Sequence, residues 1–281
     1  MMWISRAARV VALWIGVSAA SASAVESLPL WEVRLGAAVS EIPHYRGSRH
    51  TESYVIPIPY VIYRGERFRL SDEGARQLFL DTERVRVDLS VAAGLPAPGG
   101  ANPERDGMPR LETTLEAGPA LDLNLWRSDD RRDTLWLRLP VRATFSLDDW
   151  TPAYQGINFP PYLQLRVRRG TFEHDVAAGP IFADRRYHEF FYEVPSEYAT
   201  AARREYHPAG GYSGIRLTVS LTHRASRQRF GCYARFDWLD GAEFNPSPLV
   251  KTDHYIAIGC GATWRVLRSE QSAKHESWTG N

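Results

Sequence analysis

The chain has 281 residues, of which 24% are charged, and a formal net charge of +1. This near-neutral charge provides no overall field that would attract nucleic acid or an anionic surface. The mean hydropathy of -0.35 excludes a bundle of membrane-spanning helices. A hydrophobic content of 44% with nine Trp and thirteen Tyr fits a membrane barrel, although an aromatic-rich secreted β-protein fits the composition equally well.

The N-terminus predicts export from the cytoplasm. Arg6 and Arg9 precede an apolar run over residues 10–17, and Ala22-Ser23-Ala24 fits the A-x-A cleavage pattern of a secretory signal peptide. The apolar run is too short to span a bilayer as a helix. We therefore expect a signal peptide over residues 1–24, a single barrel domain over 25–267 and a polar C-terminal tail over 268–281.

Alternation of apolar and polar residues predicts strands along the rest of the chain. Pro57 and Pro59 lie two apart in one of these strands, and their missing N–H donors predict a distortion there, such as a bulge. No segment shows the period of a helix over a useful length. The predicted strands cover residues 31–40, 53–63, 67–70, 76–80, 84–95, 114–125, 135–147, 162–168, 172–182, 215–222, 228–239 and 253–266.

The hairpin over residues 113–147 shows the pattern most clearly. Two strictly alternating runs flank a polar turn at residues 128–132, and each run is about twice the usual strand length of 5–6 residues. Soluble sandwiches rarely need such long strands, whereas a tilted strand that crosses a bilayer needs about 9–11 residues. The hairpin is therefore typical of a transmembrane barrel.

The connections between the predicted strands alternate in length. Long connections over residues 41–52, 96–110, 148–161, 184–212 and 240–252 are separated by short turns. Outer-membrane barrels have short periplasmic turns and longer outer loops, and an even strand number returns both termini to the periplasm. We therefore predict an all-β fold, a closed antiparallel transmembrane β-barrel of about 12 strands.

Charged residues alternate with the apolar ones and are predicted to line the lumen, because an Arg facing lipid at mid-bilayer costs about 2–4 kcal/mol. Opposed charges across a narrow lumen can pair and fill it, so structural ionic packing is one interpretation and a selective pore is the other. The candidate lumen residues are Arg86, Arg138, Arg142, Arg166, Arg216, Arg235, Glu116, Asp122 and Asp237.

Residues 184–212 form the longest predicted loop. Loops beyond about 12–15 residues are usually functional or disordered, and this one is too aromatic for disorder. We expect it to fold inward and narrow the outer mouth of the barrel. The aromatic group expected there consists of Tyr187, His188, Phe190, Phe191 and Tyr192.

An enzyme is the alternative interpretation of this loop. His188 precedes Ser196 and Glu197, and outer-membrane hydrolases use His with Ser or carboxylates. However, the predicted barrel contains no nucleophile elbow and no metal-binding His-Glu motif. We therefore expect no catalytic residue, no cofactor and no metal site.

Cys232 and Cys260 lie in the last two predicted strands. If they face each other, the same register pairs Phe236 with Ile256 on the lipid face and leaves Asp237 in the lumen. Opposed Cβ atoms lie about 4.5–5.5 Å apart, whereas a disulfide prefers about 3.5–4.5 Å. Two alternatives stay open: a disulfide, which an oxidising periplasm permits, and two lipid-facing thiols.

Short motifs spread over the chain carry a family resemblance. They include Tyr45-Arg46-Gly47-Ser48, Pro57-x-Pro59-Tyr60, Gly107-Met108-Pro109, Gly179-Pro180, Phe190-Phe191-Tyr192, Gly210-Gly211-Tyr212 and Ser247-Pro248-Leu249-Val250. Together they resemble the MipA/OmpV family of Gram-negative outer-membrane proteins, named after an MltA-interacting protein. The resemblance implies a lipid-embedded outer-membrane barrel that acts as a scaffold between a lytic transglycosylase and a murein synthase. It implies no catalytic residues.

Function follows from this resemblance less directly than fold does. A porin-like channel for small solutes is the alternative to the scaffold. For a scaffold, the candidate contact surfaces are the charged periplasmic turns at residues 81–83, 128–133, 169–171 and 224–227. Nucleic acid is not an expected partner of either.

The C-terminus departs from the usual pattern of outer-membrane barrels, which commonly end in a strand with a terminal aromatic residue. Here Trp264 is followed by a polar extension over residues 265–281. Either the assembly machinery recognises an internal strand, or the extension is a disordered appendage.

Overall fold

A computed structural model describes residues 28–71, 74–94, 102–148 and 151–273. The predicted signal peptide lies outside these ranges. Fourteen strands occupy most of the described chain, and the alternating runs of the sequence coincide with them. They are β1 (Trp31–Pro43), β2 (Thr51–Arg64), β3 (Phe68–Ser71), β4 (Gly74–Asp81), β5 (Val85–Gly94), β6 (Thr113–Arg127), β7 (Thr134–Pro140), β8 (Arg142–Asp148), β9 (Thr151–Phe159), β10 (Tyr162–Arg169), β11 (Phe172–Ala183), β12 (Gly211–Arg224), β13 (Gln228–Trp238) and β14 (His254–Arg268).

The strands form one antiparallel sheet that closes on itself, because β1 pairs with β2 on one edge and with β14 on the other. A one-residue break at Val141 separates β7 from β8, and Pro160 and Pro161 separate β9 from β10. The two strands of each pair follow one another along the same line across the wall and together act as one long strand. The fourteen strands therefore occupy twelve positions around the ring. The predicted antiparallel barrel of about 12 strands is confirmed.

The two faces of the wall differ in polarity, as period-two alternation requires. Along β12, Ile215, Leu217, Val219 and Leu221 are exposed on the outside. Buried charged residues point inward, and they include Glu32, Arg34, Asp88, Asp122, Arg138 and Asp237. An apolar exterior and charged side chains in the interior are the arrangement of a transmembrane β-barrel.

Short turns connect the strands at the end where β1 begins and β14 ends, which is the periplasmic end. At the opposite, outer end the long connections are residues 44–50, 95–112, 184–210 and 239–253. The predicted long loop over residues 148–161 is wrong, because β9 occupies Thr151–Phe159. Pro152 and Gly156 conceal the alternation of this strand, and its pairing with β8 shifts register beside Gly156.

A short helix was also missed by the sequence pattern. Helix α1 spans Arg185–Tyr192 inside the predicted long loop, and the carboxylate of Asp184 accepts a hydrogen bond from the N–H of Tyr187 at its N-terminus. Eight residues complete only about two turns, too few for a helical period to stand out. No helix among the described residues is long and apolar enough to cross a membrane.

The expected distortion at Pro57 and Pro59 is also wrong, because β2 pairs with β1 over its whole length without a register shift. Two hydrogen bonds extend this ladder at its ends, from Arg64 N to Leu30 O and from His44 N to His50 O. Residues 64 and 50 are both even-numbered, so the even-numbered residues of β2 are the ones that bond to β1. The nitrogens of Pro57 and Pro59 therefore point to the opposite edge, where a proline costs no ladder bond.

Within the described chain, that opposite edge of β2 has few ladder partners. It forms a ladder with β3 only at Tyr63 and Arg64. From Thr51 to Ile62 the described chain contains no strand beside it, because β3 and β4 turn back at the level of Ser71 and Gly74. We call this stretch of β2 the seam.

The chain beyond β14 continues in a defined course at the periplasmic end. Residues 269–273 run beside residues 28–31, with hydrogen bonds from Leu30 N to Gln271 O (2.7 Å) and from Ala273 N to Leu28 O (2.8 Å). The first residues of the predicted tail are thus held against the start of the barrel. The remaining tail residues lie outside the described ranges.

Candidate functional site: the capped lumen and the periplasmic rim

The outer loops meet in an aromatic cluster that covers the barrel mouth. The rings of Tyr192 and Phe244 stack at 3.8 Å, and Tyr45 meets Tyr192 edge-on at 6.2 Å. These residues come from three different loops, so the cluster ties the loops together. We call it the outer cap, formed by Tyr45, Leu111, Tyr192, Val194, Leu239, Ala242, Phe244 and Leu249.

Hydrogen bonds to backbone carbonyls lock the cap. Arg105 donates to the carbonyl of Phe191 at 2.9 Å, and Arg203 donates to the carbonyls of Glu104 and Asp106 at 3.0 and 2.9 Å. The hydroxyl of Ser247 donates to the carbonyl of Tyr192 at 2.8 Å. Arginine suits this role because its guanidinium presents several donors in a fixed geometry. The long loop is therefore an ordered part of the cap.

The aromatic residues expected at the mouth all lie in or against this cap. Phe190 and Phe191 are partly buried against the cluster. Gly156 of β9, with φ +110°, allows α1 to approach closely, because a Cβ there would meet the Asp184 carboxylate and the N–H of Tyr187. Tyr187 in turn lines a recess of about 120 Å³ beneath the cap, beside Arg235 and Tyr255.

His188 is fully buried on α1 and has two hydrogen-bond partners. Its Nδ1 lies 2.6 Å from the carbonyl of Ala209, so Nδ1 must donate, and its Nε2 accepts from the hydroxyl of Ser213, also at 2.6 Å. Burial lowers the pKa of His188. The imidazole is therefore a neutral bridge between α1 and the start of β12.

Directly below the cap, one carboxylate accepts four hydrogen bonds from three side chains. Asp237 is fully buried and accepts from Arg46 Nε (2.8 Å), from two nitrogens of Arg216 (2.8 and 2.7 Å) and from the Tyr255 hydroxyl (2.6 Å). A bidentate Arg–carboxylate pair is among the strongest ion pairs in proteins. Arg46 also donates to the carbonyl of Ser213 at 2.6 Å, which anchors the loop before β2.

Ion pairs continue down the lumen and bring most of the predicted lumen residues together. Arg138 contacts Asp122 at 3.0 Å, and Arg142 contacts Glu116 at 3.5 Å. Arg166 and Arg86 pair with carboxylates that were not among the candidates, Asp175 (2.8 Å) and Asp81 (3.1 Å). Of the candidates, Arg235 lies apart from these pairs and lines the recess below the cap.

Some of the residues that pair with the candidates could have been predicted from the sequence, and others could not. Asp175 stands two residues after Glu173 in an alternating strand, so its inward direction is readable. Arg46 lies in a loop, where alternation gives no direction. Its contact with Asp237 follows only from how the loop folds over the mouth.

The periplasmic turns form a connected charged surface. Arg131 contacts Glu83 at 3.1 Å, and the carboxylate of Asp133 accepts from both terminal nitrogens of Arg169 at 2.6 and 2.8 Å. The hydrogen bond from Arg169 lowers the pKa of Asp133. Three neighbouring turns are therefore joined, and we call them the periplasmic rim: residues 82–84, 128–133 and 170–171. The adjacent turn at residues 225–227 joins them through Arg224 N and Thr171 O (2.8 Å).

A metal centre finds no support in the described residues. No group of three or more His, Cys, Asp or Glu side chains among them has the arrangement of a metal site. Most of the charged residues of the lumen pair with one another.

The chain is similar to one protein family and to several solved structures. Residues 35–266 match the model of the family described as MltA-interacting protein MipA. No curated protein matches the chain. Similar solved structures include the NanC porin (8% identity, TM-score 0.38, covering 83% of this chain and 100% of that one) and LpxR from Salmonella typhimurium (13%, 0.40, 82% and 99%). A third is the CymD monoaromatic hydrocarbon channel (11%, 0.37, 88% and 90%).

Proposed function

Because the chain belongs to the MltA-interacting protein family, we propose that it is a non-enzymatic scaffold that anchors a lytic transglycosylase, and with it a murein synthase, at the periplasmic face of the outer membrane. The protein is a β-barrel of the Gram-negative outer membrane, with lipid around its apolar exterior. The lytic transglycosylase is the partner that the family name implies, and the murein synthase is a further partner that we infer.

The connected rim is the observation that carries this proposal. Its turns present Glu83 and Arg131 with side chains more than half exposed, 71% and 57%, yet the two contact each other and hold neighbouring turns in place. A preorganised charged surface loses little conformational entropy on binding and can select a partner by charge. The cap at the other end leaves this rim as the face that a periplasmic protein meets.

The geometry around His188 favours a non-enzymatic role. Both His188 and Ser213 are fully buried. The second hydrogen-bond partner of the imidazole is the backbone carbonyl of Ala209, where a catalytic triad has a carboxylate. A hydrolase of the Ser-His type needs a reachable nucleophile and an oriented, protonatable imidazole. The pair is therefore better explained as a structural link in the cap.

Co-purification from outer membranes tests the scaffold. The full-length tagged barrel should retain a lytic transglycosylase, and the double variant Arg131→Glu with Arg132→Glu should reduce the amount retained by about tenfold, as expected for disrupted charge complementarity. Arg49→Glu, which reverses one arginine charge on the outer side, is the control and should have no effect. Equal capture by all three proteins, or no capture by any, would contradict the proposal.

A porin-like channel for small solutes is the alternative function. The observation in its favour is a lumenal cavity of about 400 Å³. A steady, solute-dependent conductance of the purified barrel in planar bilayers would favour the channel, whereas a closed barrel that captures the transglycosylase favours the scaffold.

A further inference from the structure

A recess of about 120 Å³ lies between the inner side of the outer cap and the wall strands β13 and β14. Its volume is well below the range of about 300–1,000 Å³ that is usual for small-molecule sites, so only a ligand of a few heavy atoms fits. Aromatic rings form most of the lining. The lining residues are Pro43, Tyr45, Arg46, Tyr187, Phe191, Tyr192, Arg235 and Tyr255.

Arg235 is the lining residue whose charge has no counter-ion. Within the described chain it forms no hydrogen bond or ion pair, and its Nε is buried. Its cross-strand neighbours on the lumen face, Thr218 and Ala257, are uncharged. Glu116, an acidic residue near the recess, is paired with Arg142 at 3.5 Å. A buried charge that lacks a partner is costly, so this site favours a bound anion.

Asp237 does not supply the missing charge, although it lies two residues along β13 on the same face. Its carboxylate already accepts from Arg46 Nε at 2.8 Å and from two nitrogens of Arg216 at 2.8 and 2.7 Å. Together with Arg235, three guanidinium groups in this layer of the lumen are accompanied by one carboxylate. The layer therefore carries an excess of positive charge.

Helix α1 brings a second hydrogen-bond donor to the recess. Of the four tyrosines in the lining, Tyr45 and Tyr192 donate their hydroxyls to backbone carbonyls at 2.7 and 3.1 Å, and Tyr255 donates to a carboxylate at 2.6 Å. The hydroxyl of Tyr187 has no hydrogen bond within the described residues. A hydroxyl can donate to an anion while its ring packs against apolar atoms.

We infer that the recess binds a small monocarboxylate of about the size of acetate. The carboxylate accepts two hydrogen bonds from the guanidinium of Arg235 and one from the hydroxyl of Tyr187, and its methyl group faces the rings of Phe191 and Tyr192. The forked guanidinium matches the two oxygens of a carboxylate. The bound anion joins β13 to α1 and so stabilises the outer cap. This binding is a property of the barrel alone and does not rest on the proposed scaffold role.

NMR relaxation of isotope-labelled acetate, titrated against the purified full-length protein, tests the site. Arg235→Met should weaken acetate binding at least tenfold, because it removes the charged donor, and Tyr187→Phe should weaken it by about threefold. Both variants should keep the heat-modifiable migration of the folded barrel. Arg49→Met, at an exposed position of the outer end, is the matched control and should bind acetate as the parent does. Unchanged binding in Arg235→Met would overturn the inference.

Two competing anions test whether the site recognises a carboxylate of this size. Chloride has the same charge without the pair of oxygens, and gluconate has the carboxylate on a body too large for the recess. Each should displace acetate at least tenfold less effectively than unlabelled acetate does. Displacement by chloride at the same concentration as acetate would mean an adventitious ion only and would contradict the proposed site.

Stability separates a binding role of Arg235 from a merely structural one. In buffer without acetate, Arg235→Met should unfold in urea at a midpoint equal to or above that of the parent, because the variant lacks the buried charge without a counter-ion. Acetate should raise the midpoint of the parent and leave that of Arg235→Met unchanged. An equal loss of stability in Arg235→Met with and without acetate would show that the arginine supports the barrel by itself, against the inference.

Discussion

At the scale of single residues, Asp237 is the carboxylate on which the outer end of the lumen depends. The change Asp237→Asn keeps an acceptor for Tyr255 but leaves Arg46 and Arg216 facing a neutral group. Removing one partner of a buried ion pair costs about 3–5 kcal/mol. Urea titration of the barrel in lipid vesicles should show this loss.

The matched control for this variant is Asp130→Asn. Asp130 lies in an exposed turn 3.6 Å from Arg132, and exposed pairs contribute little to stability. Its unfolding midpoint should equal that of the parent. Equal midpoints for Asp237→Asn and the parent would mean that the buried cluster does not hold the mouth together.

His207 makes the cap loop sensitive to pH. Hydrogen bonds to Glu205 and to Glu193 raise the pKa of His207 above its usual value. A raised pKa means that protonated His207 stabilises the folded loop below about pH 6.5, and that this contribution is lost as the pH rises through the folded-state pKa. NMR titration should give a midpoint above that of an unstructured histidine. Glu193→Gln should lower the midpoint, and an unshifted midpoint in the parent would contradict the two contacts.

The residues of the site were predictable from sequence only where a strand carries them. Asp237 and Arg216 alternate with apolar neighbours, so their inward direction could be read directly. Arg46 and Arg105 stand in loops, and their contacts depend on tertiary packing of the cap. Alternation shows which side chains of a strand face the interior of the barrel. In a loop no such alternation relates a residue's position in the sequence to the direction of its side chain.

At the scale of elements, Asp184 begins helix α1. Its carboxylate accepts from the N–H of Tyr187 at 2.8 Å, so Asp184→Ala leaves this donor without its cap and should cost about 0.5–2 kcal/mol. Hydrogen exchange of the α1 amides should quicken while the strand amides keep their protection. Asp240→Ala, in another outer loop, is the control and should leave α1 unchanged. Unaltered exchange in Asp184→Ala would show that packing alone holds the helix.

The hairpin of β13 and β14 carries the two cysteines. The structure pairs Cys232 with Cys260, Phe236 with Ile256 and Asp237 with Tyr255, which is the register expected from the sequence, and it bonds the two sulfurs. Thiol labelling of the unfolded protein without reductant should therefore detect no free thiol. For a sequence separation of 28 residues, losing the bond in Cys232→Ser should cost roughly 3–4 kcal/mol. Two labelled thiols would exclude the disulfide.

The elements that sequence analysis missed share a physical cause. Long alternating strands were predicted because a repeat of two residues is unmistakable over ten or more positions. Strand β9 includes Pro152 and Gly156, and α1 is only eight residues long. In both, the local pattern is too short or too irregular, and contacts with neighbouring elements decide the structure.

At the scale of the whole molecule, the capped and ion-paired lumen predicts a closed barrel. The purified protein should show little steady conductance in planar bilayers, because the cap covers the mouth and charged side chains cross the interior. His188→Ala removes the bridge between Ala209 and Ser213 and should increase the frequency of channel openings. A large, steady conductance of the parent protein would contradict the closed lumen.

The seam gives the barrel one mechanically weak line. A barrel whose strands are hydrogen-bonded along their whole length resists widening at every level, because widening would break hydrogen bonds between neighbouring strands. On the edge of β2 away from β1, two residue pairs of the described chain, Tyr63 with Leu70 and Arg64 with Arg69, join β2 to β3. Pro57 and Pro59 remove donors from the same edge, so no further strand is readily added there. Within the described chain β2 is thus joined to β3 at its periplasmic end, and we expect lateral pressure in the bilayer to deform the wall first along the seam.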